Sequence, residues 1–259
     1  MTINFKGAEI HYWVHGEGPA LVFLHGFLED MSIWKDLSET LTSKYKVILI
    51  DLLGHGDTGS VADVHTMDLM AEAVLALLEG LTIKEAIVLG HSMGGYVTLA
   101  FADNYPEKVR GICLINSTAL EDNASKKVDR DRAAEAVKKD MPLFLSIAIP
   151  ILFSESNRFK YASRIAELQS HALNMSVENV VAAIIGMKNR PNRVHVLDRF
   201  KSRSFVILGK EDSILSADIQ REYLERLNVD FSLLEGGHMG FIEEKKEITY
   251  KIMQFIEKL

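Results

Sequence analysis

Ser92 stands at the centre of Gly90-His91-Ser92-Met93-Gly94, directly behind the apolar run Ala86-Ile87-Val88-Leu89. A strand running into a tight turn and straight on into a helix holds the apex serine in strained backbone and lifts its hydroxyl to the carboxyl edge of a sheet. The flanking glycines let strand and helix pass close together. A serine alcohol attacks a carbonyl only when a base takes its proton, and that base needs a third group to fix its tautomer. His238, in Gly236-Gly237-His238-Met239-Gly240, is the candidate base, carried on a glycine-flanked loop. Asp212 follows the apolar run Ser204–Gly209 and precedes His238, giving the chain order serine, acid, histidine. Glu211 is its near competitor and Asp218 a distant one. At the other strand end where an acid could sit the chain has Asn116, which is no carboxylate. An oxyanion formed on attack requires two preorganised N–H donors. The Met93 amide, first in its helix, supplies one. The other is expected from Phe27, with Leu28 behind it, in the loop His25-Gly26-Phe27-Leu28. His25 has no partner at metal-ligand spacing and reads as structural.

These groups need a scaffold that brings distant segments to one edge. Ala8 to His15 and Ala20 to His25 read as an opening antiparallel pair joined by Gly16-Glu17-Gly18-Pro19. Met31 to Ser43 has helical spacing, and Lys46 to Asp51 is a continuous apolar run of the kind buried on both faces in a parallel sheet. Met67 to Leu81 is a periodic helix. Further strands are expected at Gly111–Asn116, Ser204–Gly209 and Asp230–Leu234, with an amphipathic helix over Glu243–Leu259. Alternating strands and helices with short connections predict an α/β fold: a mostly parallel central sheet flanked by helices.

From about 119 to 200 the pattern is interrupted and no strand is apparent. Helical stretches are expected at Glu121–Asp140, Phe159–Met175 and Ser176–Met187, with a short apolar piece at Pro142–Phe153. This segment reads as a helical cap inserted into a core made of residues 1–118 and 201–259. The apolar piece Leu143–Ile149 serves packing inside that cap, a substrate-facing wall, or both.

Composition narrows the function. The chain has 259 residues, 47% of them hydrophobic, enough for one large core. Its net charge of −7, with no basic stripe, argues against nucleic acid or an anionic membrane as partner. The single cysteine, Cys113, lies in Ile112-Cys113-Leu114-Ile115 and is expected to be buried and inert. The first residues enter strand-like alternation without the segments of a secretory signal, so a cytoplasmic location is expected. The longest apolar stretch, Met141 to Phe153, is too short to span a bilayer and contains two prolines.

Taken in order, His25-Gly26-Phe27, Asp51-Leu52-Leu53-Gly54-His55-Gly56, Gly90-His91-Ser92-Met93-Gly94-Gly95, Gly209-Lys210-Glu211-Asp212 and Gly236-Gly237-His238 resemble the α/β-hydrolase fold superfamily, in its cap-bearing, esterase-like branch. The resemblance spans nearly the whole chain outside the cap. It implies Ser92, Asp212 and His238 as a catalytic triad and Phe27 and Met93 as the oxyanion hole. It also implies that Asp51 and His55 shape a loop near the site. Leu53 departs from the proline often found in that motif. Branches of the family that use an aspartate nucleophile, the dehalogenases and epoxide hydrolases, carry an acid where this chain has Ser92. The expected activity is cofactor-independent and metal-free cleavage of a small carboxylic ester through an acyl-enzyme. Leu28, Met93, Met239 and apolar cap side chains are expected to line the pocket. Carbon–carbon hydrolysis, thioester cleavage or perhydrolysis by the same groups, a low-turnover ligand receptor, and a membrane lipase are the alternatives.

Overall fold

Runs of apolar residues too continuous to expose one face to water must sit inside a sheet covered on both sides. A computed structural model describing all residues, Met1 to Leu259, places them so. Eight strands, β1 (Thr2–Phe5), β2 (Ala8–His15), β3 (Ala20–Leu24), β4 (Lys46–Ile50), β5 (Ala86–His91), β6 (Val109–Ile115), β7 (Ser204–Gly209) and β8 (Asp230–Leu234), form one sheet. Their order is β1-β2-β4-β3-β5-β6-β7-β8. From β4 to β8 neighbouring strands are parallel; β1 and β2 are antiparallel additions at one edge.

The expected β2–β3 pair does not form. β2 pairs instead with β1 on one side and β4 on the other. All five residues of β3 are buried, so it is taken into the interior between β4 and β5. β2, which keeps partly exposed positions, lies near the rim. Turn residues between two strands do not make a hairpin when one strand needs burial on both faces.

The helices, in chain order, are α1 (Lys35–Glu39), α2 (Met67–Gly80), α3 (Met93–Asn104), α4 (Ala124–Lys139), α5 (Met141–Ala148), α6 (Ala162–Ala172), α7 (Val177–Lys188), α8 (Val194–Arg199), α9 (Ala217–Leu227), α10 (Gly240–Glu243) and α11 (Lys245–Ile256). The expected helix over Met31–Ser43 shrinks to a 3₁₀ turn at Met31–Trp34 and the short α1. The C-terminal helix breaks at Glu244, whose φ of −126° is not helical. The chain between β6 and β7 forms helices and no strand, and α4, α5 and α7 start at side-chain caps from Asn123, Asp140 and Ser176. The helix α9, between β7 and β8, was not apparent in the sequence pattern. No helix is long and apolar enough to cross a membrane.

Parallel strands all end at the same edge, and loops there collect groups from far apart in the chain. The loops after β3, β5, β6, β7 and β8 carry Phe27, Ser92, Asn116, Asp212 and His238 respectively.

Candidate active site

Ser92 has φ 48° and ψ −114°, a conformation that side-chain-bearing residues adopt only when their surroundings impose it. Its surroundings do so. The Ser92 amide donates to the Ile115 carbonyl at 3.0 Å, and Ser117 Oγ donates to the Ser92 carbonyl at 2.7 Å. A Cβ on Gly90 would collide with the Gly94 carbonyl, and one on Gly94 with the carbonyls of Leu24 and His25. Glycine is needed at both positions for close approach.

The three residues singled out in the sequence meet at this point. His238 Nε2 lies 2.8 Å from Ser92 Oγ, and His238 Nδ1 lies 2.8 Å from Asp212 Oδ2. Both ends of the Asp212 carboxylate are occupied. Oδ1 accepts from the amides of Ile214 (2.8 Å) and Leu215 (3.0 Å), while Oδ2 accepts from His238 and from Asn116 Nδ2 (3.0 Å). Burial alone would raise this carboxyl, but the facing imidazole and the donated hydrogen bonds outweigh it and hold the pKa below the ordinary value. An ionised acceptor on Nδ1 fixes the proton there and leaves Nε2 with its lone pair toward the serine hydroxyl. The competing acids lie elsewhere: Glu211 is exposed, and Asp218 pairs with Arg221 on the surface.

The amides of Phe27 and Met93 donate to no acceptor within the protein. Leu28, at φ 66°, carries the loop past Phe27. His25 is structural: its Nδ1–H donates to the Gly26 carbonyl and its Nε2 accepts the Leu52 amide at 2.9 Å. Asp51 accepts the amides of Met31 (2.7 Å) and Asp57 (3.1 Å) and shapes the loop beside it. His55 is fully buried, donates Nδ1–H to the Leu53 carbonyl and has no partner for Nε2. Burial, reinforced by neighbouring His25, lowers its pKa to about 3, so it is neutral. No cluster of three or more His, Cys, Asp or Glu side chains is arranged to hold a metal ion.

A family model described as "alpha/beta hydrolase fold" matches residues 19–245. The chain belongs to that family. Among solved structures, this α/β-hydrolase chain is similar to a thermophilic esterase from Thermogutta terrifontis, with 29% identity, a TM-score of 0.91 and coverage of 99% of this chain and 96% of that one. It also shares its fold with an enol-lactonase from Burkholderia xenovorans, at 21% identity and a TM-score of 0.91, covering 99% of this chain and all of the other. A 2-hydroxy-6-oxononadienedioate/2-hydroxy-6-oxononatrienedioate hydrolase of Burkholderia vietnamiensis is 27% identical over 96% of this chain and 91% of its own length. The dihydrolipoyllysine-residue acetyltransferase component of an acetoin cleaving system in Pseudomonas putida is 29% identical over 93% of this chain, which spans 64% of that longer protein.

The hydrolase core holds a second set of residues that the sequence did not single out. Glu29 and His91 are buried and face each other at 3.1 Å. Glu29 Oε2 also accepts the Gly26 amide at 2.6 Å, and His91 Nε2 lies 3.0 Å from the His238 carbonyl. With a carboxylate on one ring nitrogen and a carbonyl on the other, both nitrogens donate and the ring is an imidazolium. Burial opposes both charges, yet their mutual attraction lowers the Glu29 pKa and raises that of His91. Trp34 and Phe241 flank the cation edge-on, with ring centroids 6.5 and 4.7 Å from it. One ion pair therefore ties the Phe27 loop to the serine turn and to the His238 loop. The signal was present, an acid three residues beyond Gly26 and a histidine before the serine, but nothing local says that they meet.

Two more residues brace the His238 loop. Asn116 donates Nδ2–H to the Gly237 carbonyl at 3.1 Å as well as to Asp212. Glu243 accepts the Gly237 amide (3.1 Å), the Ser154 amide (3.3 Å) and hydroxyl (2.5 Å), and Asn157 Nδ2 (2.7 Å).

A cavity of about 210 Å³ opens on Ser92 and His238. Phe27, Leu28 and Tyr96 line it from the core, and Phe144, Ala148, Leu152, Ile184 and Met187 from the helices between β6 and β7. Leu28 is where the sequence placed it. Met239 and Met93 are not: both are completely buried and neither lines the cavity. The turn from Met239 into α10 directs that side chain into the core, although it adjoins His238. Leu143–Ile149 divides its side chains among different faces of α5 and its C-terminal end. Leu145 and Ile149 are buried in packing, Phe144 and Ala148 face the cavity, and Leu143 and Ile147 are exposed. Cys113 is buried, and burial pushes its thiol well above the ordinary value.

Proposed function

We propose that the chain is a cytoplasmic serine hydrolase that cleaves a small carboxylic ester, residues 119–200 forming a cap over a core of residues 1–118 and 201–259. The observation that carries this reading is the unbroken relay from Asp212 through His238 to Ser92, both links at 2.8 Å, on a serine held in strained backbone. Ser92 Oγ attacks the ester carbonyl while His238 Nε2 takes its proton. The amides of Phe27 and Met93 receive the oxyanion, preorganised because no protein acceptor competes for them. His238 passes the proton to the leaving alcohol, the ester C–O bond breaks, and an acyl-Ser92 remains. Water deprotonated by His238 releases the acid and restores the serine. Asp212, ionised and fully hydrogen-bonded, keeps the imidazole in the one tautomer that serves both halves of the cycle.

The test is Ser92→Ala with a short-chain aryl ester. Activity is expected to fall by about 10⁴ to 10⁶ with little change in melting temperature. Activity retained by the variant removes the serine from the mechanism. A second reading, hydrolysis of a carbon–carbon bond by the same residues, is favoured by the full-length similarity to the Burkholderia vietnamiensis hydrolase. A panel of esters, thioesters and vinylogous diketones separates the two. A turnover below about one per minute on every substrate would point to a ligand receptor.

A further inference from the structure

The cavity beside Ser92 is mostly apolar, yet one wall carries cations. Lys126, Arg130 and Ala133 line it from α4, spaced so that they share one helix face. Arg130 Nε donates to Asp122 Oδ2 at 3.0 Å, which leaves its two terminal nitrogens for another acceptor. Arg190 takes the other Asp122 oxygen at 2.8 Å and stacks on the cavity residue Tyr96 at 3.9 Å. Glu29, the only acid on the cavity wall, is committed to His91 and Gly26. Arg130 and Arg190 thus share one carboxylate, and Lys126 has no ion-pair partner.

Stability does not account for Lys126. It sits in the first turn of α4, whose Asn123 cap accepts the Lys126 amide at 2.9 Å, and there the helix macrodipole disfavours a cation. It is also half-buried without a direct ion pair, which costs desolvation. Burial and the adjacent Arg130 lower its pKa, and the neighbouring Asp122 and Asp129 do not compensate. A residue kept against three local penalties in the wall of a reactive cavity is explained by what it binds.

We propose that this wall is an anion subsite, and that the substrate is a short ester bearing a carboxylate, held by Lys126 Nζ and the terminal nitrogens of Arg130 while Ser92 attacks the ester carbonyl. The inference rests on the reading of Ser92 as nucleophile and adds the substrate class. The same cavity, about 210 Å³, is lined by Ser92, Lys126 and Arg130, so one small molecule can reach the nucleophile and the cations together. Water supplies the hydroxyl to the acyl carbon and a proton to the departing alcohol; the carboxylate is unchanged.

The experiment compares matched substrates in which the charge is placed on either half. Para-nitrophenyl hydrogen adipate is set against para-nitrophenyl hexanoate, and para-carboxyphenyl butanoate against phenyl butanoate. In Lys126→Met the anionic-to-neutral ratio of kcat/KM is expected to fall about 10- to 100-fold for at least one pair, mainly through KM, and to fall less in Arg130→Lys. Lys127→Met, which removes an adjacent lysine paired with Glu121, controls for general charge and keeps the ratio. A ratio unchanged by Lys126→Met in both pairs, or lowered equally by Lys127→Met, overturns the subsite while leaving the Ser92 reading intact. Adipate binding by calorimetry reads the subsite independently of turnover. Weakening of about tenfold or more in Lys126→Met supports it even if neither ester is hydrolysed, and equal binding by both proteins overturns it.

Discussion

His55 makes acid a specific threat to this fold. The ring is fully buried, one nitrogen has no partner, and its pKa is lowered to about 3 from 6.5. Between these values the unfolded chain takes up a proton that the native state refuses, so stability falls as pH drops through that window. At about pH 5 the native ring is still neutral, so the cost is set by the unfolded value alone. Taking the protein from about pH 7 to about pH 5 therefore removes about 2 kcal/mol through this one residue. The consequence reaches the site, because the Phe27 ring packs edge-on against His55 with centroids 6.1 Å apart. His55→Asn keeps a donor for the Leu53 carbonyl and cannot be protonated. It is expected to be less stable at neutral pH because of lost ring volume, yet to lose about 2 kcal/mol less than wild type on acidification. Urea unfolding of both proteins at the two pH values measures the difference; other titrating groups, His91 and Glu29 included, are common to both and cancel. Equal losses within about 0.5 kcal/mol would refute the argument.

Two further outcomes follow from the bracing residues. Glu243→Gln replaces a four-fold acceptor by a group whose NH₂ must face donors, and is expected to cost about 2 to 3 kcal/mol of stability; a denaturation midpoint unchanged from wild type would contradict it. Asn116→Ala strips one donor from Asp212 and one from the Gly237 carbonyl, and kcat should fall about tenfold with KM little altered. Steady-state kinetics check this, and a loss as deep as that of Ser92→Ala would mean the site had collapsed rather than loosened.

The residues that proved legible in the sequence share one property: each lies within a few positions of a glycine or a strand end that explains it. Ser92, Asp212 and His238 are of this kind, and so are Leu28 and the buried Cys113. What stayed hidden depends on meetings across the fold. Glu29 and His91 are 62 positions apart and carry no mark of partnership until the loops after β3 and β5 lie side by side. Asn116 was visible only as the wrong residue for an acid, whereas its amide holds the acid that is there. The β2 pairing failed for a similar reason, since turn chemistry between β2 and β3 is local and the demand of β3 for burial on both faces is not. Met239 misled because adjacency to His238 in the chain says nothing about which way the next turn points. The helices between β6 and β7 could be read from periodicity, but which face of α4 meets the cavity could not, and that face carries Lys126 and Arg130.

The carboxylate of Glu243 also anchors one end of the cavity's outer wall. It grips Ser154 and Asn157 from below, and the Met239 amide holds the Leu152 carbonyl at 3.1 Å, so the stretch after α5 is moored to the floor of the molecule. Lifting that end would take three of the four donors from a buried carboxylate and leave only the Gly237 amide. The other side of that stretch is untethered: on α5 the side chains of Leu143 and Ile147 stand in solvent.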